Sequence, residues 1–167
     1  SDVVVESQGV DKPTAVGAGS VLDVATVADT VIARISFGLP ADVENLQLAS
    51  DAGDIGGYGN ELANRLLGNA GNNVLRGLGG DDFIDGNAGR DTVAFASPFG
   101  HYEVSKVADG FTVFSDTGPE GTDTLVNIER VTFSDQGLAL DVAATQTGGQ
   151  CALLVGAVLG KAALAEK

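Results

Sequence analysis

Tryptophan and methionine are absent from this sequence, and cysteine and histidine occur once each, as Cys151 and His101. A single cysteine excludes an internal disulfide, and a single histidine excludes zinc sites built on histidine pairs. Aromatic residues make up only 5% of the chain. A large globular core normally draws on more rings, so the core expected here is built from Val, Leu, Ile and Ala in repetitive layers. Positive charge is equally scarce: nine Lys and Arg stand against 23 Asp and Glu, a net charge of −14. Phosphate binding needs clustered cations, which argues against nucleic acid as a partner; cation binding or a solvated acidic surface fits better. No apolar run reaches bilayer length, and the longest, Ala152 to Leu159, is far too short to span a membrane. No basic-plus-apolar leader follows Ser1, so no Sec-type signal is visible, and the expectation is an excised piece or a processed product.

Glycine, by contrast, is abundant, with 24 residues. From Gly59 to Ala94 the chain reads in nines, starting at Gly59, Gly68, Gly77 and Gly86. Position four is Gly71, Gly80 and Gly89 in three copies and Leu62 in the first; position six is Asn64, Asn73, Asp82 and Asp91. Position eight is always aliphatic, as Leu66, Leu75, Ile84 and Val93. One aliphatic per nine residues offers too little apolar surface to fold alone, so the copies must stack as a solenoid. The last three residues of each copy suit a very short strand with its middle side chain inward. The first six, rich in Gly, Asn and Asp, suit a turn with positive φ angles. Two nines then complete one coil, and turns eighteen residues apart lie side by side.

Around this block the chain reads as β-structure. Residues 1–48 form a β-rich lead-in, with strands over Asp2–Glu6, Asp29–Phe37 and Val43–Leu48. Residues 49–96 form the roll. Residues 97–143 form a C-terminal cap, with a hairpin about the turn Ala108-Asp-Gly110, a strand over Thr124–Phe133 and a last one over Leu138–Val142. Residues 144–167 read as a linker and an Ala/Leu-rich helix, the start of a further module, in which Cys151 is a small packed residue. Val43-Glu-Asn-Leu-Gln-Leu48 is echoed by Ile128-Glu-Arg-Val-Thr-Phe133, placing one strand unit on each side of the repeats. Glu44 and Glu129, at matched positions of that echo, suit a calcium ligand, a turn anchor or a solvent-facing carboxylate.

Gly-rich turns expose carbonyl oxygens and position six adds a side-chain oxygen, a hard donor set that selects Ca²⁺ over zinc or copper. The nonapeptide resembles the RTX (haemolysin-type) calcium-binding repeat of bacterial type I-secreted proteins, with its consensus Gly-Gly-x-Gly-x-Asp-x-aliphatic-x. The resemblance implies an all-β fold, a parallel β-roll with flanking strands, a hairpin cap and a short C-terminal helix. It implies a secreted, extracellular module, a type I secretion apparatus as partner, and folding on binding Ca²⁺. It further implies ligands from adjacent turns. One site would use Asn60, Leu62, Asn64, Gly77, Gly79 and Asp82, and the other Asn69, Gly71, Asn73, Gly86, Ala88 and Asp91. Each pairs one Asp with one Asn where the consensus offers two carboxylates, so affinity is expected at the weak end, roughly 10⁻⁴–10⁻³ M. A closing role for Asp123 or Glu129 in a further site is left open by the sequence.

Three other readings compete. Stacked Asn side chains can satisfy turn amides without metal, an Asn-ladder solenoid that the first two copies fit. The chain can be the secretion and folding module of a hydrolase or epimerase whose catalytic domain is not in it, or an adhesin or surface-layer segment. Catalysis within it is not expected. No Gly-x-Ser-x-Gly elbow occurs, His101 reads as a surface or strand-edge residue, and an EF-hand reading of Asp81–Gly86 fails at Phe83 and Thr92.

Overall fold

The computed structural model describes residues 28–140 and the backbone of Val3–Glu6. Fourteen strands make it up: β1 (Val3–Glu6), β2 (Thr30–Ala33), β3 (Phe37–Gly38), β4 (Asn45–Leu48), β5 (Gly56–Tyr58), β6 (Arg65–Leu67), β7 (Val74–Arg76), β8 (Phe83–Asp85), β9 (Thr92–Ala94), β10 (Tyr102–Val107), β11 (Gly110–Ser115), β12 (Thr122–Val126), β13 (Arg130–Thr132) and β14 (Gly137–Ala139). One single 3-10 turn, Phe99–His101, precedes β10. The strands form two facing sheets, ordered β1-β2-β4-β6-β8-β12-β11-β10 and β14-β13-β9-β7-β5-β3. The architecture is a parallel β-solenoid. Among the described residues no helix is long and apolar enough to cross a membrane.

The period of nine maps directly onto this architecture. Strands β6 to β9 occupy the last three positions of each copy. Leu66, Leu75, Ile84 and Val93 are 0% exposed. Strands alternate between the sheets, so Leu66 pairs in register with Ile84 and Leu75 with Val93, each eighteen residues apart. The coils continue beyond the recognisable repeat. Strand β5 pairs with β7, β4 with β6 and β2 with β4, all parallel. In β5 the inward residue is Gly57, where a Cβ would already lie 3.1 Å from Leu46 and Leu75 side-chain carbons, so those leucines fill the place of the missing side chain.

Two expected strands are each divided. Asp29–Phe37 becomes β2 and β3, in different sheets, with a bend at 34–36. Thr124–Phe133 becomes β12 and β13, also in different sheets; Asn127, at φ 51°, turns the chain between them. A solenoid corner needs only one such residue, and Asn tolerates the left-handed region better than most. The hairpin is as expected: β10 pairs antiparallel with β11, which pairs with β12. The last strand is β14, paired antiparallel with β13. The helix expected within 144–167 lies outside the described residues.

Four of the nine aromatic rings gather at one end. Phe95 lies 5.0 Å from Tyr102 and 5.6 Å from Phe133, and Phe99 packs edge-on to Phe133 at 5.1 Å. They close the apolar column where the aliphatic layers stop. In the column itself, Ile84→Ala should lower unfolding free energy by about 2–5 kcal/mol, read from urea denaturation at fixed calcium; a cost under about 1 kcal/mol would contradict the stacked-core account.

Candidate metal centre

Each turn is held to the next by its position-six residue. The Asn64 N–H donates to Asp82 Oδ1 at 2.7 Å, and the Asp82 N–H donates to Asp123 Oδ1 at 3.0 Å. On the opposite edge the Asn73 N–H donates to Asp91 Oδ1 at 2.8 Å and the Asp91 N–H to Glu129 Oε2 at 2.7 Å. Glu44 does the same service one coil earlier, accepting the Asp29 N–H at 2.8 Å. Glu129 and Glu44 are therefore turn anchors rather than merely solvent-facing strand residues. These side chains lie inside the edges: Asn64, Asn73, Asp82, Asp91 and Asp123 are all buried.

Position one in all four copies, and position four in three, are glycine because the oxygens come so close. A Cβ on Gly77 would collide with the Asp82 carboxylate, and one on Gly80 would meet the Leu62 carbonyl oxygen at 2.6 Å. Gly80 also holds φ 95°, open to glycine and strained for other residues.

The first expected ligand set is brought together in part. Asn64 and Asp82 are joined as above, and Asn64 Oδ1 and the Gly77 carbonyl converge on the space beside Gly59. The Asn60 carbonyl instead accepts the Gly79 N–H at 2.9 Å. The second set repeats this. Asn73 and Asp91 are joined, Asn73 Oδ1 and the Gly86 carbonyl flank Gly68, and the Asn69 carbonyl accepts the Ala88 N–H at 3.3 Å. Leu62 and Gly71 present their carbonyls to Gly80 and Gly89 of the following coil.

Asn and Asp behave differently at position six. Asn64 Oδ1 accepts the Asn60 N–H at 2.7 Å, while its Nδ2 donates back to the Val43 and Glu44 carbonyls at 3.2 Å. Asn73 accepts the Asn69 N–H and donates to the Ile55 carbonyl at 3.0 Å. The first two copies thus have the self-satisfied arrangement of an Asn ladder. Asp82 Oδ2 and Asp91 Oδ2 are buried acceptors with no hydrogen-bond partner among the described residues. A buried carboxylate oxygen left without a donor is costly, and the cost shows as basicity: burial pushes Asp82 and Asp91 up to about 6, from 3.8. Burial, with the nearby Asp82, Glu120 and Asp81 charges, pushes Asp123 up to about 8.

A cation fits these two oxygens. Among the described residues no three His, Cys, Asp or Glu side chains gather as a metal cluster, so any ion must draw largely on backbone carbonyls. A carboxylate plus carbonyls is a hard donor set, suited to Ca²⁺. His101, the one histidine, stands at the surface with Nδ1 3.3 Å from Asp116 Oδ1.

Sequence reasoning named the ladder's far ends, Asp123 and Glu129, but left their role open. For Asp123 the signal is present: Gly118-Pro-Glu-Gly-Thr-Asp-Thr-Leu-Val126 carries Gly, Gly, Asp and Leu at positions one, four, six and eight. For Glu129 only its echo of Glu44 points the way.

Residues 58–93 match the family model of the RTX calcium-binding nonapeptide repeat, in four copies. Neither the curated proteins nor the solved structures gave a match to the chain.

The raised carboxyl groups set a pH dependence. The folded, calcium-free chain holds protons that the unfolded chain has released, on Asp82 and Asp91 between about pH 4 and 6 and on Asp123 between about pH 4 and 8. Their contribution to stability is complete near pH 4 and is lost as pH rises through about 6 and then 8. In EGTA the melting midpoint should therefore fall between pH 5 and 8.5; a rising midpoint would show these groups ionise without penalty.

Proposed function

We propose that this chain is a calcium-binding β-roll module of a secreted bacterial protein, stabilised by extracellular Ca²⁺. The observation that carries the reading is the pair of buried, unpartnered carboxylate oxygens, Asp82 Oδ2 and Asp91 Oδ2, set in turns that match a calcium-binding repeat. Asn60, Leu62, Asn64, Gly77, Gly79 and Asp82 would hold one ion, and Asn69, Gly71, Asn73, Gly86, Ala88 and Asp91 the other. Bound Ca²⁺ supplies the positive charge that the two carboxylates lack and ties adjacent coils together. The residues themselves supply the frame. The position-six N–H groups fix one oxygen of each carboxylate and leave the other directed at the ion.

The role is structural rather than catalytic. At a hundredfold excess of Ca²⁺ over Kd, one site contributes about 2.7 kcal/mol to folding, a large share of the stability of an ordinary domain. In low calcium the acidic coils are destabilised by burial of their own carboxylates. A chain of that kind is suited to travel unfolded through a type I secretion apparatus and to fold outside.

Circular dichroism and thermal melting in EGTA and in graded CaCl₂ test this. The midpoint should rise with calcium and saturate at millimolar concentrations; spectra and midpoints indifferent to calcium would leave a metal-free solenoid in its place. Asp91→Asn gives a second, opposite expectation. An Asn at that place can donate to the preceding coil as Asn73 does, so the variant should melt higher than the parent in EGTA and gain less from calcium. A variant that melts lower in EGTA and responds fully would refute the assignment of Asp91.

A further inference from the structure

We propose that Gly118–Val126 is a fifth nonapeptide of the same roll and that it closes a further calcium-type cation site, in which the Asp82 and Asp123 carboxylates and the Gly80 carbonyl hold the ion. The proposal rests on the calcium reading above; Gly80 and Asp82 lie within the stretch matched by the repeat family, residues 58–93, and the segment Gly118–Val126 lies outside it.

Several observations place this segment in the repeat's own register. Thr124, Leu125 and Val126 pair in parallel with Phe83, Ile84 and Asp85, so the position-eight residue Leu125 falls on Ile84, and both are 0% exposed. Gly121, at position four with φ 61°, faces the Gly80 carbonyl oxygen, 2.6 Å from where its Cβ would be. Gly80 stands in the same relation to Leu62 and Gly89 to Gly71. At position five the Thr122 N–H donates to Asp81 Oδ1 at 2.8 Å, in the way that the Asn72 N–H donates to Asp54 Oδ1. At position six Asp123 accepts the Asp82 N–H just as Asp82 accepts that of Asn64. The path differs only at its entry, where Gly118 holds φ 83° and the Gly80 N–H reaches the Pro119 carbonyl at 2.8 Å.

The ligand argument follows from what these residues lack. Asp82 and Asp123 are each 2% exposed, and Asp82 Oδ2 has no donor. Neither carboxylate has a Lys or Arg ion pair among the described residues. Two buried anions on adjacent coils repel each other unless a cation or a proton lies between them. The Asp–Asn turns offer one carboxylate to an ion; this pair offers two. Calcium affinity rises with ligand charge, so this site should fill first, with a Kd roughly tenfold below the others. An ion here joins residues on either side of the β10–β11 hairpin and so clasps that excursion to the roll.

Hydrogen exchange of the full chain in graded CaCl₂ tests the order of filling without any variant. Amides of 80–84 and 118–126 should gain protection at about tenfold lower calcium than those of 59–76; the reverse order overturns the proposal. Equilibrium dialysis against ⁴⁵Ca then counts ions. Asp123→Asn removes one charge with almost no change of shape, and the roll already accommodates Asn at position six in Asn64 and Asn73, so its EGTA spectrum should match the parent's while it loses one bound ion and the tightest Kd. The control, Asp109→Asn in the exposed hairpin turn, should lose neither. Unchanged stoichiometry in Asp123→Asn, with calcium still bound, overturns this site alone. A parent that binds no calcium overturns this site and the function proposed above together.

Discussion

Everything in this molecule depends on a hydrogen bond that runs between coils rather than within one: the backbone N–H at position six to the side-chain oxygen of the next position six. It decides where carboxylates stand, since its acceptors are Asp82, Asp91, Asp123 and the longer-reaching Glu129. It forces glycine at position one, because the accepting side chain folds back over that residue. It also decides where negative charge is buried. When position six is Asn, its oxygen accepts an N–H of its own turn while its amide finds a carbonyl in the coil before, and the edge needs nothing more. When it is Asp, the second oxygen is buried without a donor, and the edge is complete only with a proton or a cation. One substitution type thus converts a passive staple into an ion-dependent one.

The same roll therefore has two regimes along its length. The Asn64 and Asn73 turns are held by amides to the coil before and depend little on solution conditions. From Asp82 and Asp91 onward the ladder is carboxylate throughout, ending at Asp123 and Glu129. Sensitivity to pH and to cations is concentrated in that half. The aromatic cluster of Phe95, Phe99, Tyr102 and Phe133 caps the apolar column there and supplies packing that does not vary with either.

The periodic part of the fold was legible in the sequence because each structural role there has a chemical requirement. Inward position eight must be aliphatic, and the turns must be Gly with Asn or Asp; Leu66 and Ile84 fall in register for that reason. The flanks were less legible. Coil spacing there is not eighteen: Thr30 pairs with Asn45, Phe37 with Gly57 and Thr92 with Arg130. In Thr124–Phe133 the corner at Asn127 shows only as a slip in the alternation: the inward residues Leu125, Ile128 and Val131 fall three apart where one continuous strand would place them two apart, as the chain crosses from one sheet to the other. Gly57 hides in the same way, as an inward residue with no side chain to signal it. At the candidate site the carboxylates were legible by type and spacing. Their unequal satisfaction was not, because it depends on which neighbouring carbonyl each side-chain nitrogen or oxygen can reach.

The excursion between β9 and β12 has a consequence for how such a roll can change. From Arg65 to Phe83 the chain closes a loop of eighteen residues; from Phe83 to Thr124, the next partner in the same sheet, it closes one of 41. Loop-closure entropy grows only with the logarithm of length, so the longer path costs about 0.7 kcal/mol more than the shorter one. The hairpin recovers more than that by burying Val104 and Val113. A solenoid whose coils are fastened to one another at the edges is thus nearly indifferent to how much chain lies between two of them. The corner after Ala94 is a port at which new structure can be carried without disturbing the stack.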